Sequence, residues 1–290
     1  MAKRGLLWLM PACAIFVVIG IYPLLYSLWL SFHSFSLADP ARGFRFTGFG
    51  NYGELLFREG VLRITFLRSL CLTGIFAISC LLLELLIGMG LALLFSAKTG
   101  ATKVARVLVM IPMLLAPVVV GNIFKLIYAF PFGLLNFPFL AAKVTPPAWL
   151  TEWALVSLII TSVWEWTPFS FLVILAAMYA IPVEYYEASK VDGASSWHEF
   201  RFITLPLIKS AVLVICLIRS IDLIRTFDLV WVLTGGGPGI DTALVAFNAY
   251  YLGFKYFEIG AGSAYAYLIL LVVNAVVIGF LPFLAKEIKA

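Results

Sequence analysis

Long apolar stretches separated by short polar ones set the pattern of this chain. Six of them, residues 6–30, 69–95, 108–130, 155–181, 208–234 and 260–284, are long enough to cross a bilayer, which takes about 20 mostly apolar residues. None shows the alternating polarity, over roughly ten residues, of a membrane-barrel strand. The pattern predicts an all-α polytopic membrane protein, one transmembrane domain over residues 1–290 with about six transmembrane helices. No internal repeat, low-complexity tract or separate soluble domain interrupts it. Lys3 and Arg4 precede the first apolar run as in a signal peptide, but the run is far longer than a signal core. It is expected to be a retained span.

Composition supports the bilayer reading. Apolar residues make up 63% of the chain and charged ones 12%, with a mean hydropathy of +1.06. A soluble domain carries about 25% charged residues, so this chain cannot cover a water-facing globule of its size. The net charge of +5 then reads as loop bias rather than a nucleic-acid footprint. Cys13, Cys71, Cys80 and Cys216 all fall in apolar stretches, as buried hydrophobes do, and form no CxxC pair.

The polar connections differ in character. Residues 31–68 are long and glycine-rich, and residues 98–106 form a basic turn carrying Lys98, Lys103 and Arg106. Pro131–Glu152 holds four prolines and Trp149, with Trp153 just beyond, rings expected at a membrane interface. With the N-terminus inside, ten basic residues lie inside and seven outside, a modest vote for cytoplasmic termini.

Residues 182–207 are the most hydrophilic stretch of the second half. Pro182 suits a helix start, and Glu184 and Glu187 sit near its positive end. Asp192-Gly193 stops that helix, because glycine accepts the left-handed cap position. Ser195 or Ser196 can cap a second helix starting near Trp197, which Pro206 ends. The product is two short helices at right angles to the spans. They read either as an interfacial hairpin or as the docking feature of a soluble partner.

Glu187-Ala188-Ser189, Asp192-Gly193-Ala194 and Ile203-Thr204-Leu205-Pro206 resemble the EAA–G–LP loop of binding-protein-dependent ABC importer permeases. Ser189 stands where the family has Ala. Phe46–Tyr52, Pro112–Pro117, Gly133–Asn136, Thr167-Pro168-Phe169, Phe227-Asp228 and Leu233–Pro238 extend the resemblance along nearly the whole chain, toward the carbohydrate type: the maltose, trehalose and glycerol-phosphate class. The resemblance implies a cytoplasmic coupling loop that enters a cleft of an ATPase subunit. Carried over by position, Glu187, Ala188, Asp192 and Gly193 are the coupling residues, with Glu184, Ser189, Ala194, Leu205 and Pro206 completing the loop. It also implies a second homologous permease, a cytoplasmic ATPase dimer holding ATP and Mg, an extracytoplasmic solute-binding protein or lipoprotein, and a small carbohydrate-like substrate. The location implied is a bacterial or archaeal cell (inner) membrane.

No cofactor is expected in this chain. It has no GxxxxGK[ST] loop, and Gly235–Gly239 lacks the following Lys-Ser/Thr and reads as a turn. Nor is it expected to be an enzyme.

Glu84, Lys125, Glu165, Arg219, Asp222, Arg225 and Asp228 lie within apolar spans. Each charge there costs at least about 2.5 kcal/mol near the bilayer centre, so each is expected to face protein or water. Arg219, Asp222, Arg225 and Asp228 alternate in sign every three residues, neighbours on a helix. They read as a neutralised structural ladder or as a polar wall of the translocation path. Glu165, Trp166, Asn122, Tyr128 and Asn248 are further path candidates, with packing as the alternative for the aromatics. The competing function is a secondary solute transporter not driven by ATP, but that class commonly shows repeated halves with broken helices.

Overall fold

The structure, a computed structural model, describes residues 10–96 and 100–289. Lys3, Arg4 and Lys98, which entered the orientation count, lie outside the described residues. Two units are distinguished: one of residues 1–68 and 245–272, the other of residues 69–244 and 273–290.

In the first unit, helix α1 (Met10–Ser31) is apolar on all sides and almost wholly unburied, as a lipid-facing span would be. It contains a π-helical stretch at Phe16–Ile21. After it, β1 (His33–Ser34) pairs antiparallel with β2 (Arg45–Phe46), and α2 (Gly50–Leu56) follows. Here the Phe46–Tyr52 segment acquires a structural role. Buried Asn51 donates to the carbonyls of Ser31 (2.8 Å) and His33 (3.0 Å), while the Tyr52 and Ser31 hydroxyls share a 2.7 Å hydrogen bond. The first of these bonds satisfies the Ser31 carbonyl, left open at the end of α1.

Helix α3 (Val61–Leu94) begins eight residues before the expected start of the second span. Arg63 and Arg68 therefore belong to a helix rather than a loop, since a helix can extend past the apolar stretch that crosses the membrane. The expected third span is not one helix. It divides into α4 (Gly100–Met110), a 3-10 turn at Pro112–Leu114, and α5 (Pro117–Ile127). The prolines contribute: each lacks an N–H, and Ala116, before Pro117, is pushed out of the helical region, whereas Ile111, before Pro112, stays in it. Leu115 and Ala116 are extended, with ψ of 144° and 139°. Short α6 (Phe137–Ala141) precedes α7 (Ala154–Ala180), which runs uninterrupted through Pro168.

Helix α7 is the axis of the second unit: 61% of its most apolar window is buried. Phe171, Ile174 and Leu175 form a core with Ala92 of α3 and with Ile208 and Ile215. Close approach of α3 and α7 depends on Gly88, where a Cβ would stand 2.8 Å from the Ser170 Cβ and 2.9 Å from the Phe171 nitrogen. Trp149 donates its indole N–H to buried Asn136 at 2.8 Å.

The loop after α7 folds as α8 (Val183–Val191) and α9 (Ser196–Leu207), the latter π-helical over Phe200–Thr204. Helix α10 (Lys209–Ile224) follows after a 61° bend, which replaces the expected right angle. The fifth span is also interrupted, at residues 225–227, before α11 (Asp228–Leu233). Helix α12 (Val245–Tyr250) belongs to the first unit, and α13 (Ile259–Lys289) closes the chain. Among the described residues, four helices are each long and apolar enough to cross a membrane, or five spans if the bent pair is counted as one. The third of the six expected spans is built from shorter pieces.

Candidate coupling loop and buried polar cavity

Two places gather the residues singled out in the sequence. The first is the loop of α8 and α9. Asp192 caps α8, Gly193 has φ +72°, and two backbone bonds close the end: Gly193 N–H to the Lys190 carbonyl (3.1 Å) and Ala194 N–H to the Ser189 carbonyl (2.9 Å). This is the Schellman pattern, which requires a left-handed residue at its centre. A Cβ on Gly193 would meet nothing within 4 Å. The need for glycine is therefore conformational; no neighbour crowds the site. Ser195 caps α9 by accepting the His198 N–H at 3.3 Å.

Two side-chain bonds hold the helices of the loop to each other. Ser189 donates to Glu199 Oε1 at 2.9 Å, and the Tyr186 and Thr204 hydroxyls share a bond of 2.9 Å. The position where the family has Ala is thus buried and hydrogen-bonded in this chain. Outward, Glu184, Glu187, Ala188, Asp192 and Gly193 are exposed. Trp197 and Phe202 add large exposed apolar surface beside them. Ala194 and Leu205 are half-buried, and Pro206 is exposed next to the bend. The surface combines acids with aromatics on a braced support.

The second place is a cavity of about 290 Å³ at the break between α10 and α11. Glu165, Trp166, Arg219, Asp222, Arg225 and Asp228 all line it. The lining residue Arg219 belongs to an ion pair that spacing along one span could not reveal. Arg219 donates from Nε and Nη2 to the two carboxylate oxygens of Glu84 on α3, at 2.7 and 2.8 Å. Both side chains are essentially inaccessible. The Trp166 ring lies 4.5 Å beneath the guanidinium, and Asp222 Oδ2 is 3.8 Å from Arg219 Nη1. Such a bidentate, stacked arrangement suits arginine's planar fork. Glu165 is buried as well, and its Oε1 has no hydrogen-bond partner among the described residues.

The four-residue ladder is therefore not one stripe. Helix α10 ends at Ile224, so Asp228 starts a separate helix, in whose first turn an acid is favoured. What reunites the four is the cavity, which also takes Pro117, Ser162, Thr226, Phe227 and Leu229. Of these five, Pro117 and Phe227 fall in motifs of the resemblance, whereas Ser162, Thr226 and Leu229 carry no signal in the sequence, because residues of their kind recur in every span. Glu84 is visible as a charge in an apolar stretch, but its partner is not.

The remaining candidates fall elsewhere. Asn122 is exposed on α5 and donates to the Val118 carbonyl of its own helix. Tyr128 is buried, bonded to Thr161 Oγ1 at 3.2 Å and stacked on Trp149, a packing position away from the cavity lining. Asn248 is half-buried on α12, in the first unit.

Residues 84–290 match the family described as binding-protein-dependent transport system inner membrane component. The chain is 34% identical over 285 residues to the trehalose/maltose transport system permease protein MalF of Thermococcus litoralis, covering 97% of this chain and 93% of that protein. It is 33% identical over 271 residues to the trehalose transport system permease protein SugA of Mycobacterium tuberculosis, covering 93% and 85%. In fold it is similar to a chain of a bacterial alginate ABC transporter solved in complex with its alginate pentasaccharide-bound periplasmic protein. The TM-score is 0.80 at 22% identity, over 96% of this chain and 93% of that one. A polytopic all-α chain with a braced two-helix loop after α7 thus belongs to the binding-protein-dependent transport system inner membrane components, the permeases of ABC transporters.

Proposed function

We propose that this chain is the transmembrane permease subunit of an ATP-driven importer of a sugar or sugar-like solute: a disaccharide, a polyol or a glycerol phosphate. The observation that carries the reading is the α8–α9 loop, exposed, acidic and aromatic on one face and hydrogen-bonded within itself. A loop that passes on the movement of another subunit has to be braced, and two side-chain bonds between its helices support that role. Relatives named for trehalose and maltose transport support the solute class.

In this reading the loop and both termini face the cytoplasm, and Glu187 meets a basic residue of an ATPase dimer that holds the ATP and Mg. A solute-binding protein delivers substrate on the other side, as in the alginate transporter solved with its periplasmic protein. Closure of the ATPase tilts α8 and α9, and the 61° joint into α10 passes that movement to the cavity-lining helix. Access alternates between the two sides, along a path shared with a second homologous permease. This chain hydrolyses nothing itself.

The test is uptake of radiolabelled trehalose or maltose by the reconstituted complex with Glu187→Lys. The variant is expected to reach the membrane in normal amount and to lose ATP-driven uptake. Normal uptake would refute the coupling role, and no stimulation by any sugar, polyol or glycerol phosphate would refute the solute class.

A further inference from the structure

We propose that a crevice between α3, α4 and α7 holds an anionic phospholipid, with one acyl chain in the crevice and the phosphate at the basic turn that carries Lys103 and Arg106. The proposal needs only that the chain spans a bilayer. It is independent of the solute class and of the part given to the α8–α9 loop.

The crevice has a volume of about 760 Å³. Leu83, Ile87 and Leu91 of α3 form one wall, Leu108 of α4 and Pro112 another, and Trp164 of α7 lies on the third. Apart from Thr167, every residue of the lining is apolar or aromatic. The space exists because the third span is not one helix: α4 ends at Met110, and the chain leaves the helical path at Leu115 and Ala116. Leu83, Ile87, Leu108 and Trp164 are each at least 40% exposed, so the crevice opens outward. Such a lining offers a sugar little to bond and suits a hydrocarbon chain.

Depth identifies the chain. Arg106 donates from Nε and Nη2 to the Phe95 carbonyl, at 3.1 and 2.6 Å, which fixes it at the end of α3. Leu91 and Leu83 lie four and twelve residues before Phe95, about 6 and 18 Å along a helix that rises 1.5 Å per residue. One leaflet of hydrocarbon is about 15 Å deep. With Arg106 at the headgroup level, the crevice starts about one turn inside the bilayer and ends near its centre, the reach of a single acyl chain.

Charge identifies the headgroup. Lys103 is exposed one turn before Arg106. The Phe95 carbonyl and the Tyr179 ring, 5.4 Å from the Arg106 guanidinium, are uncharged partners. In the sequence Lys98 adds a third cation to this turn, and no Asp or Glu occurs between Glu84 and Glu152. Basic pockets between spans attract anionic headgroups in this way.

The complete transporter is reconstituted with dibrominated phosphatidylglycerol or phosphatidylcholine, whose bromines quench a tryptophan beside the acyl chain. Trp164 is read as the difference between the unaltered protein and Trp164→Phe. Phosphatidylglycerol should associate more tightly than phosphatidylcholine by about fivefold or more, and Lys103→Gln should lower that ratio by about fivefold. Ile87→Phe, which narrows the crevice from an exposed wall position, should reduce the quenching by either lipid. Equal association of the two lipids, or a ratio unmoved in Lys103→Gln, overturns the anionic site. Absence of Trp164 quenching in the complete transporter also overturns the proposal, and gives the crevice to a partner chain.

Discussion

Removing either half of the Arg219–Glu84 pair should be costly, and the two halves should not cost the same. The side chains are 2% and 0% exposed and joined by two short bonds. Breaking a buried pair by deleting one partner costs about 3–5 kcal/mol, because a charge is left uncompensated in a low-dielectric surrounding. If Glu84→Leu is made, Arg219 keeps Asp222 at 3.8 Å and the Trp166 ring at 4.5 Å. The loss should fall near the lower limit, about 3 kcal/mol. If Arg219→Met is made, Glu84 has no second cation among the described residues and the ring contact is lost too. The loss should then be about 4–5 kcal/mol. The double variant replaces the pair with apolar side chains and should recover most of the summed loss, since such replacements are often neutral or better. The assay is a double-mutant cycle on SDS-induced unfolding in mixed micelles, followed by circular dichroism. A coupling below about 1 kcal/mol, or single variants no less stable than the starting protein, would refute the reasoning. Equal single losses would refute the part given to Asp222 and Trp166.

Three further outcomes follow from other parts of the molecule. Gly193→Val should abolish ATP-driven uptake while Gly193→Asn keeps much of it: φ is +72° with open space around the site, so the cost of about 1–2 kcal/mol is conformational and asparagine tolerates it best. Gly88→Val should lower the melting temperature of the detergent-solubilised protein through about 1–3 kcal/mol of overpacking. Ser170→Gly should restore only part of it, because the Phe171 backbone nitrogen also stands within 2.9 Å of the new Cβ. Ser189→Ala should speed hydrogen exchange of the α8 amides through loss of the 2.9 Å bond to Glu199, worth about 1 kcal/mol, whereas Glu199→Gln, which keeps an acceptor, should exchange like the starting protein.

Parts of this architecture are legible in the order of residues. The α8–α9 loop can be read in detail because its signals are local: Pro182 at the start, Gly193 at the left-handed position and Ser195 at the second cap each act on the backbone within a few residues. The bend into α10 is less legible, since its 61° depends on how the Ile208 junction packs against α7 and α3. The breaks in the third and fifth spans are hidden for another reason. Hydropathy averages over a window, and three apolar pieces read the same as one helix, although Pro112 and Pro117 carry a warning.

The solvent and the class of fold follow from sequence alone, because scarce charge and long apolar runs leave a chain of this length few places to be but a bilayer. So does the α8–α9 loop, through residues that act on their own turns. It takes the packed molecule to show that Arg219 answers Glu84, 135 residues away, and that Glu165 is left with an open acceptor beside them. Charge alternation along one span points to neighbours on the same helix. In low dielectric, however, the strongest partner is the one that packing brings within hydrogen-bond distance, and packing between helices is not written in the spacing along any one of them.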